Sequence, residues 1–198
     1  GSELNLQRLQ NKKIRFVHGD IRNKEDFDNL AFKPDVVLEC AAQPTVTAGY
    51  NNPMFDVTNN INGLVNTLEF CRAKDAALIF WSTNKVYSGD LCNSVPFAEN
   101  TTRYFWSDNN FVLQGWSTKG FNTALDVNGG KHTIYGVSKI AADLLCQEWS
   151  DAFDIPIIIN RFSCLYGAHQ WGKANQGWIA WFVIAKALNK QLTYYGSG

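Results

Sequence analysis

Ala77-Leu78-Ile79-Phe80-Trp81-Ser82-Thr83 is an apolar run that ends in two hydroxyl side chains. An apolar stretch of this length without alternation reads as a strand buried on both faces, and such strands belong to parallel sheets. Three more runs of the same kind lie on either side of it. Asp35-Val36-Val37-Leu38-Glu39-Cys40 follows Pro34, Pro156-Ile157-Ile158-Ile159-Asn160 lies downstream, and Ile14-Arg15-Phe16-Val17 ends at His18-Gly19-Asp20. Between the runs the period changes to that of a helix. From Phe55 to Arg72, apolar Val57, Ile61, Leu64, Val65, Leu68 and Cys71 recur at helical spacing; Tyr135 to Trp149 and the tryptophan-rich Gly177 to Leu188 read as further helices. Ser88 to Thr133 is polar and aromatic with many turn residues and no clear period. Strands alternating with amphipathic helices predict a doubly wound α/β fold, with ligands beyond the carboxyl ends of the strands. Asp20, Ala41 to Gln43, Ser82 to Thr83 and Ser163 all fall just past a strand run.

A Rossmann-like dinucleotide fold opens with a strand, a G-x-G-x-x-G loop and a helix whose N-terminus holds the pyrophosphate. The 198 residues contain no such loop, and Ile14–Val17 stands where the third β unit is expected. In the 3-2-1-4-5-6 order the first two strands lie between strands 3 and 4. The expectation is an incomplete doubly wound sheet. Residues 1–198 are expected to form a single partial dinucleotide-binding and catalytic domain, without the N-terminal β-α-β that carries a glycine-rich loop and without a C-terminal substrate segment.

Composition narrows the partners. Hydrophobic residues make up 45% and charged residues 18%, a globular profile, and 18 basic side chains cancel 18 acidic ones. That balance points away from nucleic acid and from an anionic membrane. The five cysteines are widely spaced with no C-x-x-C pair, as expected of reduced apolar thiols, and His18, His132 and His169 lack metal-ligand spacing, so no metal is expected. With no signal peptide or long apolar run, a cytoplasmic location is expected.

Tyr135 and Lys139 are four apart and share a helix face. A phenol titrates near ~10, too high for a base at neutral pH, but a nearby ammonium favours the phenolate. The pair therefore suits removal of a proton from a hydroxyl during hydride transfer. Y-x-x-x-K alone is also a common solvated helix pattern, and context gives it weight. Thr83 follows a strand facing the same pocket, and its hydroxyl suits the reacting oxygen; it could equally bond local backbone. Ala41 and Ala42 would let a cofactor ring approach the backbone, or simply pack. Asp20 suits an adenine amino group, or caps its turn.

Gly19-Asp20-Ile21-Arg22, Ala41-Ala42-Gln43, Asn60 in its helix, Ser82-Thr83-Asn84-Lys85-Val86-Tyr87, Tyr135-x-x-x-Lys139 and Arg161-Phe162-Ser163-Cys164-Leu165-Tyr166-Gly167 come in the order of one family. By these the chain resembles the extended short-chain dehydrogenase/reductases, the NAD-dependent epimerase/dehydratase family. Thr102-Arg103-Tyr104 and Gln176-Gly177-Trp178-Ile179-Ala180-Trp181-Phe182, with the Ser82 to Tyr87 string, make it similar to the CDP-tyvelose (CDP-paratose) 2-epimerases.

The resemblance implies a catalytic set of Thr83, Tyr135 and Lys139, with NAD as cofactor. Tyr135 would deprotonate a sugar hydroxyl while hydride leaves C2; the keto sugar turns over, and hydride returns to its other face. Asp20 and Ile21 would border adenine. Ala41, Ala42 and Gln43 would lie at the ribose and nicotinamide side, with Asn60 and Ser82 among the cofactor contacts and Ser163 near the nicotinamide. Gln43, Thr83, Asn84, Arg103, Gln176 and Trp178 would face the nucleotide sugar, a CDP-sugar in this branch. The helices from Phe55 and from Tyr135 would pair across the two-fold axis of a homodimer.

Rival expectations are a sugar-nucleotide dehydratase, an NADPH-dependent reductase, and a truncated binding or assembly module without catalysis. Dehydratases place Thr-Asp-Glu at this strand end, and here Asn84 and Lys85 follow Thr83. Three departures from the family pattern stand out: Glu39 where histidine is usual, an extra residue in Tyr87-Ser88-Gly89-Asp90, and His169 for a more usual arginine.

Overall fold

The computed structural model describes residues 2–9 and 13–193. Helices α1 (Ser2–Leu9) and α2 (Lys24–Asp28) precede strand β1 (Val36–Glu39). Helices α3 (Val46–Asn51) and α4 (Pro53–Asp56) lead through a π-helical turn (Val57–Asn62) into α5 (Gly63–Lys74). Strand β2 (Ala77–Thr83) follows, then a 3-10 turn (Asn84–Val86) and helix α6 (Gly89–Asn93). The stretch without a period holds two small hairpins, β3 (Phe97–Glu99) with β4 (Tyr104–Trp106) and β5 (Trp116–Ser117) with β6 (Gly120–Phe121). Helix α7 (Ile134–Phe153), strand β7 (Ile157–Phe162) and helix α8 (Trp178–Ala187) complete the order.

Strands β1, β2 and β7 form a parallel sheet in that order. Glu39 lies opposite Phe80 and Thr83 opposite Phe162, so the carboxyl ends come out along one edge. Parallel neighbours need a crossover, and α5 and α7 supply them. Both helices lie on one face, where Leu78 and Phe80 of β2 pack with Leu64, Leu68 and Cys71 of α5, Ala142 and Cys146 of α7, and Ile155. Each ends on an aspartate in left-handed conformation, Asp75 (φ 56°) and Asp154 (φ 54°), which turns the chain back toward the sheet. The architecture is a Rossmann-like α/β sheet, incomplete relative to a doubly wound one.

Two expectations need correction. Ile14–Val17 has no ladder partner among the described residues and forms no strand; Ile14, Phe16 and Val17 are exposed. A strand is defined by its inter-strand hydrogen bonds, so the apolar run alone does not make one. The sheet is also not buried on both faces. With α5 and α7 on one side, Leu38 is 59% and Ile158 57% exposed on the other. Among the described residues no helix is long and apolar enough to cross a membrane, and no cluster of metal ligands occurs. All five cysteines are free thiols, with Cys71 and Cys146 in the core.

Candidate active site

The carboxyl end of β2 separates two hydroxyl side chains. Ser82 points into the buried face, where its Oγ donates to Asp143 Oδ2 at 3.1 Å. Thr83, one residue on, faces the other way, and its Oγ1 accepts from Lys85 N at 3.2 Å, capping the 3-10 turn. Thr133 caps α7 in the same manner, its Oγ1 accepting from Gly136 N at 2.9 Å. Gly136 lets the first turn of α7 close on this strand end; a Cβ there would stand 2.6 Å from the Lys85 carbonyl oxygen. Tyr135 and Lys139, one turn apart on α7, are thereby held against β2 at 8% and 2% exposure.

A cavity of about 580 Å³ opens at this edge. Cys40 and Ala42 line it from just past β1, Ser82 to Lys85 from the end of β2 and the 3-10 turn, Tyr135 and Lys139 from α7, Ser163 to Leu165 from just past β7, and Gln176 to Trp178 from the start of α8. Of the residues singled out in the sequence, Ala42, Ser82, Thr83, Asn84, Tyr135, Lys139, Ser163, Gln176 and Trp178 are brought together here.

The others lie outside the lining. Gln43 Nε2 donates to Thr45 O (2.8 Å) and Asp56 Oδ1 (3.0 Å), while its Oε1 accepts from Thr45 N (2.6 Å). Asn60, in the π-helical turn, accepts from Gln43 N at 2.8 Å and donates to Ser138 Oγ at 2.9 Å. Their polar groups are consumed in fastening the loop after β1, including Ala41, to α7. Asp20 carboxylate oxygens accept from Arg22 N and Nε, both at 2.9 Å. Ile21 packs against Gly63 and has its carbonyl held by Asn66. Arg103 is exposed in the β3–β4 hairpin, its backbone N–H donating to Asn100 Oδ1.

Electrostatics departs from the simple tyrosine–lysine picture. Burial raises the Tyr135 phenol above its ordinary value; a hydrogen bond from Thr83 pulls it down, and the charge of Asp56 pushes it further up. The Lys139 ammonium does not help here, because its Nζ donates to Trp81 O at 2.9 Å and stands 4.1 Å from the Phe80 ring centroid. Sequence reasoning passed over Asp143, one turn past Lys139, whose carboxylate accepts from Arg161 Nε at 2.8 Å; the i, i+4 spacing to Lys139 was the available signal. Lys85 and Leu165, also in the lining, were read only as parts of family motifs, and Gln170 was passed over, since spacing gives no signal for it.

Comparisons with known proteins bear on the family and the fold. An NAD-binding family model, described as Male sterility protein, matches residues 2–195. The chain is 36% identical over 194 residues to the CDP-paratose 2-epimerase of Salmonella typhi, covering 93% of this chain and 54% of that protein. It is 27% identical to the dTDP-D-glucose 4,6-dehydratase of Dictyostelium discoideum over 96% of this chain and 40% of that one. Its backbone superposes on the UDP-glucose 4-epimerase of Thermus thermophilus, solved in complex with NAD, with a TM-score of 0.68 at 21% identity, covering 93% of this chain and 52% of that one. The chain belongs to the NAD-dependent epimerase/dehydratase family of Rossmann-fold proteins, whose cofactor is NAD. It spans about half the length of the curated relatives it matches.

Proposed function

We propose that this chain carries the catalytic centre of a nucleotide-sugar epimerase of the CDP-tyvelose 2-epimerase type, acting through transient oxidation to a keto sugar. The observation that carries the reading is the convergence of Thr83, Tyr135 and Lys139 on one cavity at the strand ends. The likeness to the Salmonella CDP-paratose 2-epimerase supports the choice of sugar.

The residues present fit the nicotinamide end of NAD. Cys40 and Ala42 leave the strand-end wall low enough for a flat ring, and Tyr135 and Lys139 offer a hydroxyl and an ammonium to a ribose. Asp20 would border adenine only by giving up part of its contact with Arg22. Bound NAD supplies the hydride acceptor. Thr83 Oγ1 orients the reacting sugar hydroxyl, and Tyr135 Oη takes its proton. For this the phenol has to be brought down from its raised value, so Lys139 must swing its ammonium from Trp81 O toward the ribose and phenol side. Ser163 closes the nicotinamide side, while Asn84, Gln176 and Trp178 contact the sugar nucleotide. No carboxylate stands at Asn84 or Lys85, which disfavours the acid and base of a dehydratase. Exposed Phe55, Val57, Val137 and Leu144 support a homodimer through the helices that carry them.

The test is calorimetric titration of NAD, followed by incubation with NAD and CDP-tyvelose and separation of the sugar products. Epimer formation, lost by at least ~100-fold in Tyr135→Phe, is the expected result for an acid–base residue. Loss of water from the sugar would make the chain a dehydratase, and preference for NADPH a reductase. Failure to bind NAD would favour a binding or assembly module.

A further inference from the structure

Lys139 is 2% exposed and Glu39 5% exposed, so a cation and a carboxyl group are buried at the same edge of the sheet. Isolated buried charges are costly, and each needs a compensating partner. The sheet register puts Glu39 beside Phe80, and Lys139 Nζ lies over the Phe80 ring. The carboxylate is itself fixed, since Oε1 accepts from Ala41 N at 2.9 Å.

Other groups that face Lys139 are already accounted for. Asp143, on the same helix, is paired with Arg161 of β7 at 2.8 Å and accepts from Ser82 of β2. Burial pushes the Cys146 thiol up to about 12 and raises Cys40, so both are neutral near pH 7. Tyr135, one turn earlier, is held as the neutral phenol. Glu39 is the remaining carboxyl group, an anion above about pH 7, and among the described residues it forms no direct ion pair.

We propose that Glu39 is a positioning residue for Lys139: its buried carboxylate, clamped by the Ala41 amide at the end of β1, keeps the Lys139 ammonium charged and drawn to the strand ends. It occupies the position at which the family pattern usually has histidine, so this chain sets its lysine with a negative group. The meaning for catalysis rests on the reading of Lys139 given under Proposed function, whereas the charge coupling does not. Burial lowers the Lys139 ammonium, and Glu39 is the strongest influence in the opposite direction. Burial also pushes the Glu39 carboxyl up to about 7, against the pull of Lys139 and the Ala41 amide.

The experiment is a pH titration of the whole chain by NMR, following the 13Cε resonance of Lys139, assigned by its loss in Lys139→Arg. The expected result is a step near pH 7 that disappears in Glu39→Gln, with proton affinity of Lys139 reduced at least ~10-fold in that variant, one pKa unit. A Lys139 titration identical in wild type and Glu39→Gln overturns the proposal. Should Glu39→Gln fail to fold, the 13Cδ resonance of Glu39 is followed in the wild type and in Lys139→Met: a carboxyl that titrates higher in the variant supports the coupling, and one that titrates at the same pH overturns it. Neither readout involves turnover, so failure of the epimerase reading leaves the test intact.

Discussion

The Glu39 carboxyl sits at about 7 in the folded chain, against 4.5 for an ordinary glutamate. Between those values the native state holds a proton that the unfolded state has released, so stability falls as pH rises through this window. At one-and-a-third kcal/mol per unit, the loss is of order ~3 kcal/mol across the window. Asp56, buried and raised for the same reason, adds a loss of the same sign at more acid pH. The melting temperature of the wild type should therefore fall between about pH 5 and 7, and Glu39→Gln should flatten that slope. A wild-type melting temperature that rises steadily over the window would contradict the assignment. Residue types showed part of this site. Tyr135 and Lys139 were legible because spacing by four fixes a common helix face. Gln43 was legible as a polar residue just past a strand run and Asn60 through the family resemblance, but a sequence does not say where their hydrogen bonds go. Here they go to Thr45, Asp56 and Ser138.

Elements were read from period, which works where packing imposes it. Ala77–Trp81, Asp35–Cys40 and Pro156–Asn160 are strand runs because the core demands apolar side chains from them, and they overlap β2, β1 and β7. Ile14–Val17 carries the same signal without a neighbouring strand to complete it. Phe55 to Arg72 reads as one helix, yet Val57–Asn62 is π-helical. One extra residue in a turn leaves the i, i+3 and i, i+4 pattern intact on both sides, so periodicity does not reveal it. It places Asn60 where it reaches both Gln43 and Ser138, and π-turns are frequent at functional sites. The approach of α7 to the strand end hangs on one small residue. Gly136→Ala sets a methyl 2.6 Å from the Lys85 carbonyl oxygen and 3.2 Å from Thr133 Oγ1. Backbone cannot fold away as a flexible side chain does, so α7 must shift. The strain of ~1–3 kcal/mol outweighs the ~1 kcal/mol that alanine gains over glycine in a helix. The expected outcome is a melting temperature lower by a few degrees together with weaker NAD binding, because α7 carries Tyr135 and Lys139. A more stable Gly136→Ala with unchanged NAD titration would show that the contact is not limiting.

Across the molecule, the three parallel strands lie side by side in chain order, as the 3-2-1-4-5-6 order predicts for its fourth to sixth strands. What the alternation could not show is the polar crosslink that ties the layers together. Asp143 of α7 accepts from Ser82 of β2 and from Arg161 of β7, and Arg161 Nη1 donates to Tyr87 Oη at 3.0 Å beyond the 3-10 turn. Asp143 has 3% and Arg161 15% side-chain exposure, so the pair is shielded from water. Removing one member leaves the other as an uncompensated buried charge, at a cost of ~3–5 kcal/mol, whereas replacing both by apolar groups of similar size is often near neutral. Arg161→Met alone should therefore destabilise the chain by several kcal/mol in urea denaturation, and Asp143→Leu by a similar amount. The double variant should recover most of the loss, a coupling well above the ~0.5 kcal/mol seen for independent sites. Asp143 is also the second anion beside Lys139, so the same double variant should lower the proton affinity of Lys139 less than Glu39→Gln does. Additive losses in the double variant would mean that the pair is not shielded as its burial implies, and that α7 is fixed to the sheet by its apolar contacts and the Lys139 bond to Trp81 O.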